Sequence, residues 1–180
     1  LSQGLQARAG ELADTISSQN GSPKQWSMMG QVFSATMVLD TYVALATSYE
    51  WVDTRVGMMG GPVRVRKAPV GVAAAIAPGY GRRVGAAPDS YLLAEAAIEA
   101  GVPEGVINIV PAGRETGEHL VKHPDIDKVS FTGSTAAGMR IGELGGAQLK
   151  RCTLELGGKS AAIVLDDVQL DDAMLDQLVQ

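Results

Sequence analysis

DKVSFTGSTAAGMRIGELGGAQLKRCTLELGG, residues 127–158, reads as a complete strand–turn–helix–strand unit. Asp127 to Thr132 (DKVSFT) reads as a strand. Gly133 permits a tight turn, and the stretch to Gly146 carries the small and apolar residues of a helix. Arg151 to Leu156 reads as the next strand. Two strands joined by a helix run parallel in one sheet, with a right-handed crossover.

The same alternation of elements extends in both directions. Upstream, Val70 to Ala77 (VGVAAAIA) is apolar throughout, as suits a strand covered on both faces. Asp89 to Ala100 reads as a helix ended by Gly101, with Pro103 beyond it. Gly105 to Val110 (GVINIV) reads as a buried strand and Glu115 to Lys122 as a short helix. Downstream, Ser160 to Leu165 (SAAIVL) reads as a further strand, and a helix starts at Asp171. The fold class is therefore α/β, an open, wound, mostly parallel sheet.

Residues 1–69 differ. A first helix is closed by Asn20-Gly21, a turn signal. A second opens at Ser22-Pro23-Lys24-Gln25, with Ser22 as cap, Pro23 at the first helical position and Gln25 completing a capping box. Trp26, Met29, Phe33, Met37, Leu39 and Val43 recur at mostly helical spacing and predict one apolar, core-packed face. After Gly60-Gly61-Pro62, Val63 to Lys67 (VRVRK) alternates as a half-exposed strand with Arg64 and Arg66 solvated. The expected organisation is an N-terminal unit of helices and a strand arm, 1–69, followed by a sheet domain, 70–180.

Composition narrows the function classes. The net charge of -5, without long charge runs, argues against a nucleic-acid partner. No apolar run approaches the ~20 residues that cross a membrane, and the first residues lack the apolar stretch of a secretory signal. With no initiating Met, the native start is expected upstream. Cys152 alone permits neither an internal disulfide framework nor a multi-cysteine metal site. A cytoplasmic, reducing setting is expected.

Two motifs can carry chemistry. In FTGSTAAG, Phe131 to Gly138, a strand ends and Ser134-Thr135 open a helix, whose unpaired N–H groups and partial positive charge attract an anion. Ser134 can add a hydroxyl to a phosphate, or it can simply cap the helix. The spacing is neither the P-loop nor the usual dinucleotide pattern. In LELGGKSA, Leu154 to Ala161, Glu155 stands at a strand end before two glycines, where ligands of open α/β sheets collect. Partly desolvated there, it can act as a general base; equally, it can be an ordinary charged strand end.

Together these motifs resemble the NAD(P)-dependent aldehyde dehydrogenase family. LELGGKSA is similar to that family's glutamate signature and FTGSTAAG to the loop that meets the coenzyme pyrophosphate. VRKAPVGVAAAIAP, GVPEGVINIVPAG, HPDIDKVSFTGST and AAIVLDD also resemble family sequence. The resemblance implies an incomplete Rossmann-like coenzyme domain and NAD or NADP as coenzyme. It implies an aldehyde substrate, and a homo-oligomer or association with a full-length relative. It makes Glu155 the base that activates water for thioester hydrolysis. Gly133 and Ser134 become pyrophosphate contacts, with Gly138 in the helix turn behind them, Pro111 and Gly113 near the adenine, and Leu156 among the coenzyme contacts.

Three departures accompany the resemblance. The family's nucleophilic cysteine lies well downstream of the glutamate motif. Cys152, three positions from Glu155 on a predicted strand, points to the opposite face. The family's Pro-Trp-Asn turn, whose Asn stabilises the oxyanion, is replaced by Pro78-Gly79-Tyr80. GYGRRVGAA, 79–87, stands where the family continues with a helix, a strand and a ribose-holding lysine, so about thirty residues are expected to be missing. Arg82 and Arg83 are expected in a solvated loop, and neighbouring apolar strands to lose their partner. The isolated chain is expected not to oxidise aldehydes. The alternatives are a non-catalytic nucleotide-binding or assembly module, and a reading frame broken by a frameshift or wrong boundaries.

Overall fold

The computed structural model describes residues 1–77, 88–159, 161, 163–168 and 171–178. The expected turn at 78–80 and the Arg82-Arg83 loop lie outside them.

The chain opens with α1 (Ser2–Ala7) and α2 (Ala9–Asn20), the latter closed by Gly21 in the left-handed conformation that Asn20-Gly21 predicts. A single turn, α3 (Lys24–Trp26), runs into a π-helical stretch (Ser27–Phe33) and then α4 (Ser34–Ser48). An antiparallel hairpin follows, β1 (Val52–Val56) with β2 (Pro62–Arg66), in which Arg64 and Arg66 are exposed. Next come β3 (Ala73–Ile76), α5 (Pro88–Glu99), α6 (Arg114–Lys122), β4 (Lys128–Gly133), α7 (Thr135–Gly146), β5 (Arg151–Leu156) and α8 (Asp172–Leu178). Among the described residues β3, β4 and β5 form one parallel sheet in that order, with β4 central. The α/β class and the parallel sheet are those expected.

Two apolar clusters hold the molecule together. In the first, Leu5, Leu12, Ala13 and Val32 of the N-terminal helices close on Leu92 and Ala96 of α5. An exposed ion pair, Arg8 with Glu99, also ties the α1–α2 junction to α5. In the second, Val129 and Phe131 of β4 meet Val121 of α6 and Ile141 of α7, with Ile76, Cys152 and Leu154 packed around them. Alternation in β4 and β5 decides which side chains go in. Val129 and Phe131 face the helices, while Ser130 and Thr132 face outward.

Four sequence expectations are corrected. First, VGVAAAIA is not covered on both faces: Ala73 and Ala75 are exposed, because α6 and α7 pack on one face and no described element packs on the other. Second, GVINIV is not a strand. Val106, Ile107 and Val110 are exposed, and no described strand offers them a ladder, without which an extended segment leaves its backbone unpaired. SAAIVL lies partly outside the described residues; Ile163 to Leu165 take no regular structure.

Third, Ser22 does not cap a helix. Pro23 is the N-cap, with extended backbone and no capping side chain, and the Ser22 hydroxyl instead accepts from Gln31 Nε2 at 3.1 Å. Fourth, Trp26, Met29, Phe33, Met37 and Val43 are exposed, not buried. The residues facing the core are Ser27, Val32 and Thr36, spaced five and then four apart. The apolar stripe faces solvent already at Trp26, ahead of the π-helical stretch, and stays outward through Met37, so its spacing is helical but the core lies against the opposite face. Leu39 does pack against the core.

Candidate functional site

The parallel register places the two motifs side by side. Thr132 pairs with Glu155 and Gly133 with Leu156, so FTGS and LELGG leave the sheet together at its carboxyl end. That end is where open α/β sheets take ligands.

Ser134 follows β4 in extended backbone and caps α7. Its Oγ accepts the Ala137 backbone N–H at 3.3 Å. Capping and phosphate contact, left open by the sequence, are compatible: Ser134 satisfies one N–H of the first turn, and a helix start has further N–H groups without an intrahelical partner. No acidic side chain lies in that first turn, so nothing there opposes an anion. A Cβ on Gly133 would come within 2.5 Å of the Phe131 ring, so the bare backbone is a packing requirement.

Gly138 is buried because α7 lies almost against β5. A Cβ there would meet Leu156 Cδ2 at 2.2 Å, and one on Gly145 would meet Cys152 Sγ at 2.5 Å. Between them, Gly142 faces Leu154 at an ordinary 3.8 Å. The glycines fall on one helix face, 138, 142 and 145, opposite alternate residues of β5. The stripe stands in the sequence as glycine at helical spacing, and of its members the family resemblance singles out Gly138 alone.

Cys152 is half-buried on that helix-facing side, whereas Glu155 is exposed on the other face. The predicted opposition of the two side chains holds in β5. The partial desolvation expected of Glu155 is not supplied by the described residues, because no described element covers that face.

Pro111 and Gly113 are exposed at the start of α6, where Gly113 is the N-cap. The orientation of α6 follows from a residue that sequence reasoning missed. Lys150, just before β5, donates from Nζ to the carbonyls of Val121 (2.8 Å) and His123 (2.5 Å) at the far end of α6. A cation on those terminal carbonyls satisfies them and offsets the negative helix end. It also fixes the α6 C-terminus at the amino end of the sheet, so the N-termini of α6 and α7 both point toward the carboxyl end. A surface network joins the two helices: Glu118 accepts from Arg140 at 3.0 Å and pairs with Lys122. These hydrogen bonds, that of Lys122 foremost, hold the Glu118 carboxyl below its ordinary range.

Comparison with known proteins agrees with this geometry. The model of the aldehyde dehydrogenase family matches residues 85–180, and the chain belongs to that family. Geranial dehydrogenase of Castellaniella defragrans is 44% identical over 191 residues, covering 93% of this chain and 40% of that protein. The matched span is longer than the chain itself, so this chain is internally shorter than its relative, the direction that the break at 79–87 predicts. Human 4-trimethylaminobutyraldehyde dehydrogenase is 49% identical over 90 residues, covering 50% of this chain and 18% of that protein.

Among solved structures, a Mycobacterium tuberculosis aldehyde dehydrogenase complexed with NAD+ superposes with a TM-score of 0.77 at 34% identity, over 94% of this chain and 39% of that one. A mutant of aldehyde dehydrogenase C from Pseudomonas syringae, in complex with NAD+ and octanal, gives 0.77 at 29% identity, over 92% and 38%. The chain thus spans about two-fifths of the length of such relatives. Among the described residues no helix is long and apolar enough to cross a membrane.

Proposed function

We propose that this chain is the coenzyme-binding part of an enzyme that oxidises an aldehyde to a carboxylic acid with NAD+ or NADP+, working in the cytoplasm. The observation that carries the reading is the register that sets Gly133 beside Leu156, and Thr132 beside Glu155, where α7 begins. Gly133, Ser134 and the first turn of α7 hold the pyrophosphate; Gly138 lets α7 approach β5; Leu156 lies against the coenzyme; Pro111 and Gly113 border the adenine. The bound coenzyme would supply the hydride acceptor. Glu155 serves as base toward the water that releases the acid. Residues 1–69 form the helical and hairpin unit and 70–180 the coenzyme unit.

Cys152 is not the thiol of such a reaction. It faces Gly145 on the covered side of β5, away from Glu155. The 180 residues by themselves are therefore proposed to bind coenzyme without oxidising aldehyde. A second reading, a non-catalytic module that associates with a second copy or a full-length relative, is favoured by the exposed apolar side chains of Trp26, Met29, Phe33 and Met37.

The test is calorimetric titration with NAD+ and NADP+ of the wild-type chain and of Ser134→Asp. Aspartate preserves the helix cap and favours the helix N-terminus, yet sets a negative charge against a phosphate. Binding weakened at least tenfold with unchanged helix content supports the proposal; equal binding by both proteins refutes it. Aldehyde-dependent NADH formation by the wild-type chain would refute the assignment of Cys152.

A further inference from the structure

The two histidines of the chain, His119 and His123, stand four residues apart at the end of α6, and no role proposed above uses either. Residues four apart share a helix face, and paired histidines at this spacing are a common metal-chelating arrangement on helices. Their ring centroids are 5.7 Å apart, inclined at 64°. Two imidazoles bound side by side to one ion, with metal–nitrogen bonds of about 2.0–2.1 Å, place their ring centres about 4.5–5 Å apart. Rotation of exposed side chains closes that difference.

We propose that His119 and His123 form a two-imidazole site for a borderline divalent transition ion, copper(II) in preference to nickel(II) or zinc(II). Among the described residues no group of three or more His, Cys, Asp or Glu side chains is arranged to hold a metal. The described residues therefore supply two nitrogens, and the proposed site takes solvent in its remaining positions. Imidazole with water suits copper(II), which also heads the affinity order of these ions; magnesium and calcium prefer oxygen donors.

The Asp125 carboxylate is the neighbour that supports ligation through Nε2 of His123. Its Nδ1 accepts the Asp125 backbone N–H at 3.2 Å and lies 4.0 Å from the Asp125 carboxylate. When Nε2 binds an ion, the proton moves to Nδ1, which gives up the Asp125 N–H and turns to donate to the Asp125 carboxylate beside it. A carboxylate behind a ligating histidine is the usual second partner of such rings. Lys122, the cation between the two histidines in sequence, is paired with Glu118, which reduces its repulsion of an incoming ion. The backbone beneath is anchored, because Lys150 Nζ holds the His123 carbonyl.

Titration of the chain with copper(II) chloride, followed by calorimetry and electron paramagnetic resonance, tests the site. One histidine-dependent ion per chain with coupling to two imidazole nitrogens is expected. His119→Ala should weaken it at least tenfold. His123→Asn, which keeps an acceptor for the Asp125 N–H, should do the same, and the double variant should lose no more than a further few-fold. Cys152→Ala should leave binding unchanged. The proposal is overturned if both histidine variants bind copper as the wild type does, if a single imidazole accounts for the spectrum, or if magnesium chloride competes at equal concentration.

Discussion

The N-terminal helices and the β3–β4–β5 layer both bring apolar stretches to the fold, and they use them in opposite ways. In the sheet layer the apolar positions of the alternating strands, Val129, Phe131 and Leu154, are the ones that pack against α6 and α7. In the N-terminal layer the largest apolar side chains, Trp26, Met29, Phe33 and Met37, stay in solvent, while Ser27, Val32 and Thr36 face the core. Period two survives local distortion, because a strand has only two faces. A helical stripe shows only that one face is apolar and not which neighbour covers it: Trp26 faces solvent ahead of the π-helical stretch and the stripe remains outward through Met37. Strand amphipathicity thus proved a reliable guide to packing here, and helical amphipathicity did not.

The largest effect should come from the better-packed layer. Phe131→Ala removes a ring buried between β4 and the helices and should cost about 3–5 kcal/mol in chemical denaturation. A loss below about 1 kcal/mol would mean that the sheet layer is no better closed than the other.

The N-terminal layer should respond with the opposite sign. Ser27 is fully buried, and its Oγ has no hydrogen-bond partner. Ser27→Ala removes that orphaned hydroxyl and should stabilise the chain by about 1 kcal/mol. A destabilised variant would show that the hydroxyl is satisfied in solution.

Smaller still, Phe33→Glu replaces an exposed apolar residue and should change stability by no more than about 0.5 kcal/mol, while raising solubility. A loss of several times that amount would show the face to be packed in solution and erase the contrast between the two layers.

The smallest effect concerns the helix–helix ion network. Because Lys122 and Arg140 lower the Glu118 pKa in the folded state, its contribution is present above the ordinary carboxylate value. It is lost as pH falls through the lowered one. Glu118→Gln should lower stability slightly near neutrality, where the contribution is present, and converge with the wild type at the acid end, so that the acid limb is slightly flatter, with the difference shrinking at high salt. An unchanged acid limb would remove the network from the account.

Much of the sheet layer was legible because its determinants are local. The succession of strands and helices marks β4 and β5, Gly133-Ser134 the strand-to-helix turn, and Gly101 the end of α5. The adjacency of the two candidate motifs was legible for a similar reason: both sit on strands whose parallel pairing follows from the connecting helix. What stayed hidden depends on neighbours. GVINIV has the composition of a strand, but a ladder needs a second chain segment, and no local pattern reports whether one is present. Burial on both faces of β3 depends on a helix layer that is absent among the described residues. The Lys150 contacts with α6 cross 27 and 29 positions of sequence and leave no periodic trace.

The close seating of α7 on β5 makes the volumes of facing residues a shared quantity. At positions 138 and 156 the helix contributes nothing and the strand contributes a leucine. Methyl groups added to the helix should be tolerated only if they are removed from the strand. Gly138→Ala and Leu156→Ala should each destabilise the fold, and the double substitution should cost less than the two together, a compensation that a double-mutant cycle measures directly. Change along this seam would then proceed by exchange between facing positions, with their combined bulk nearly constant.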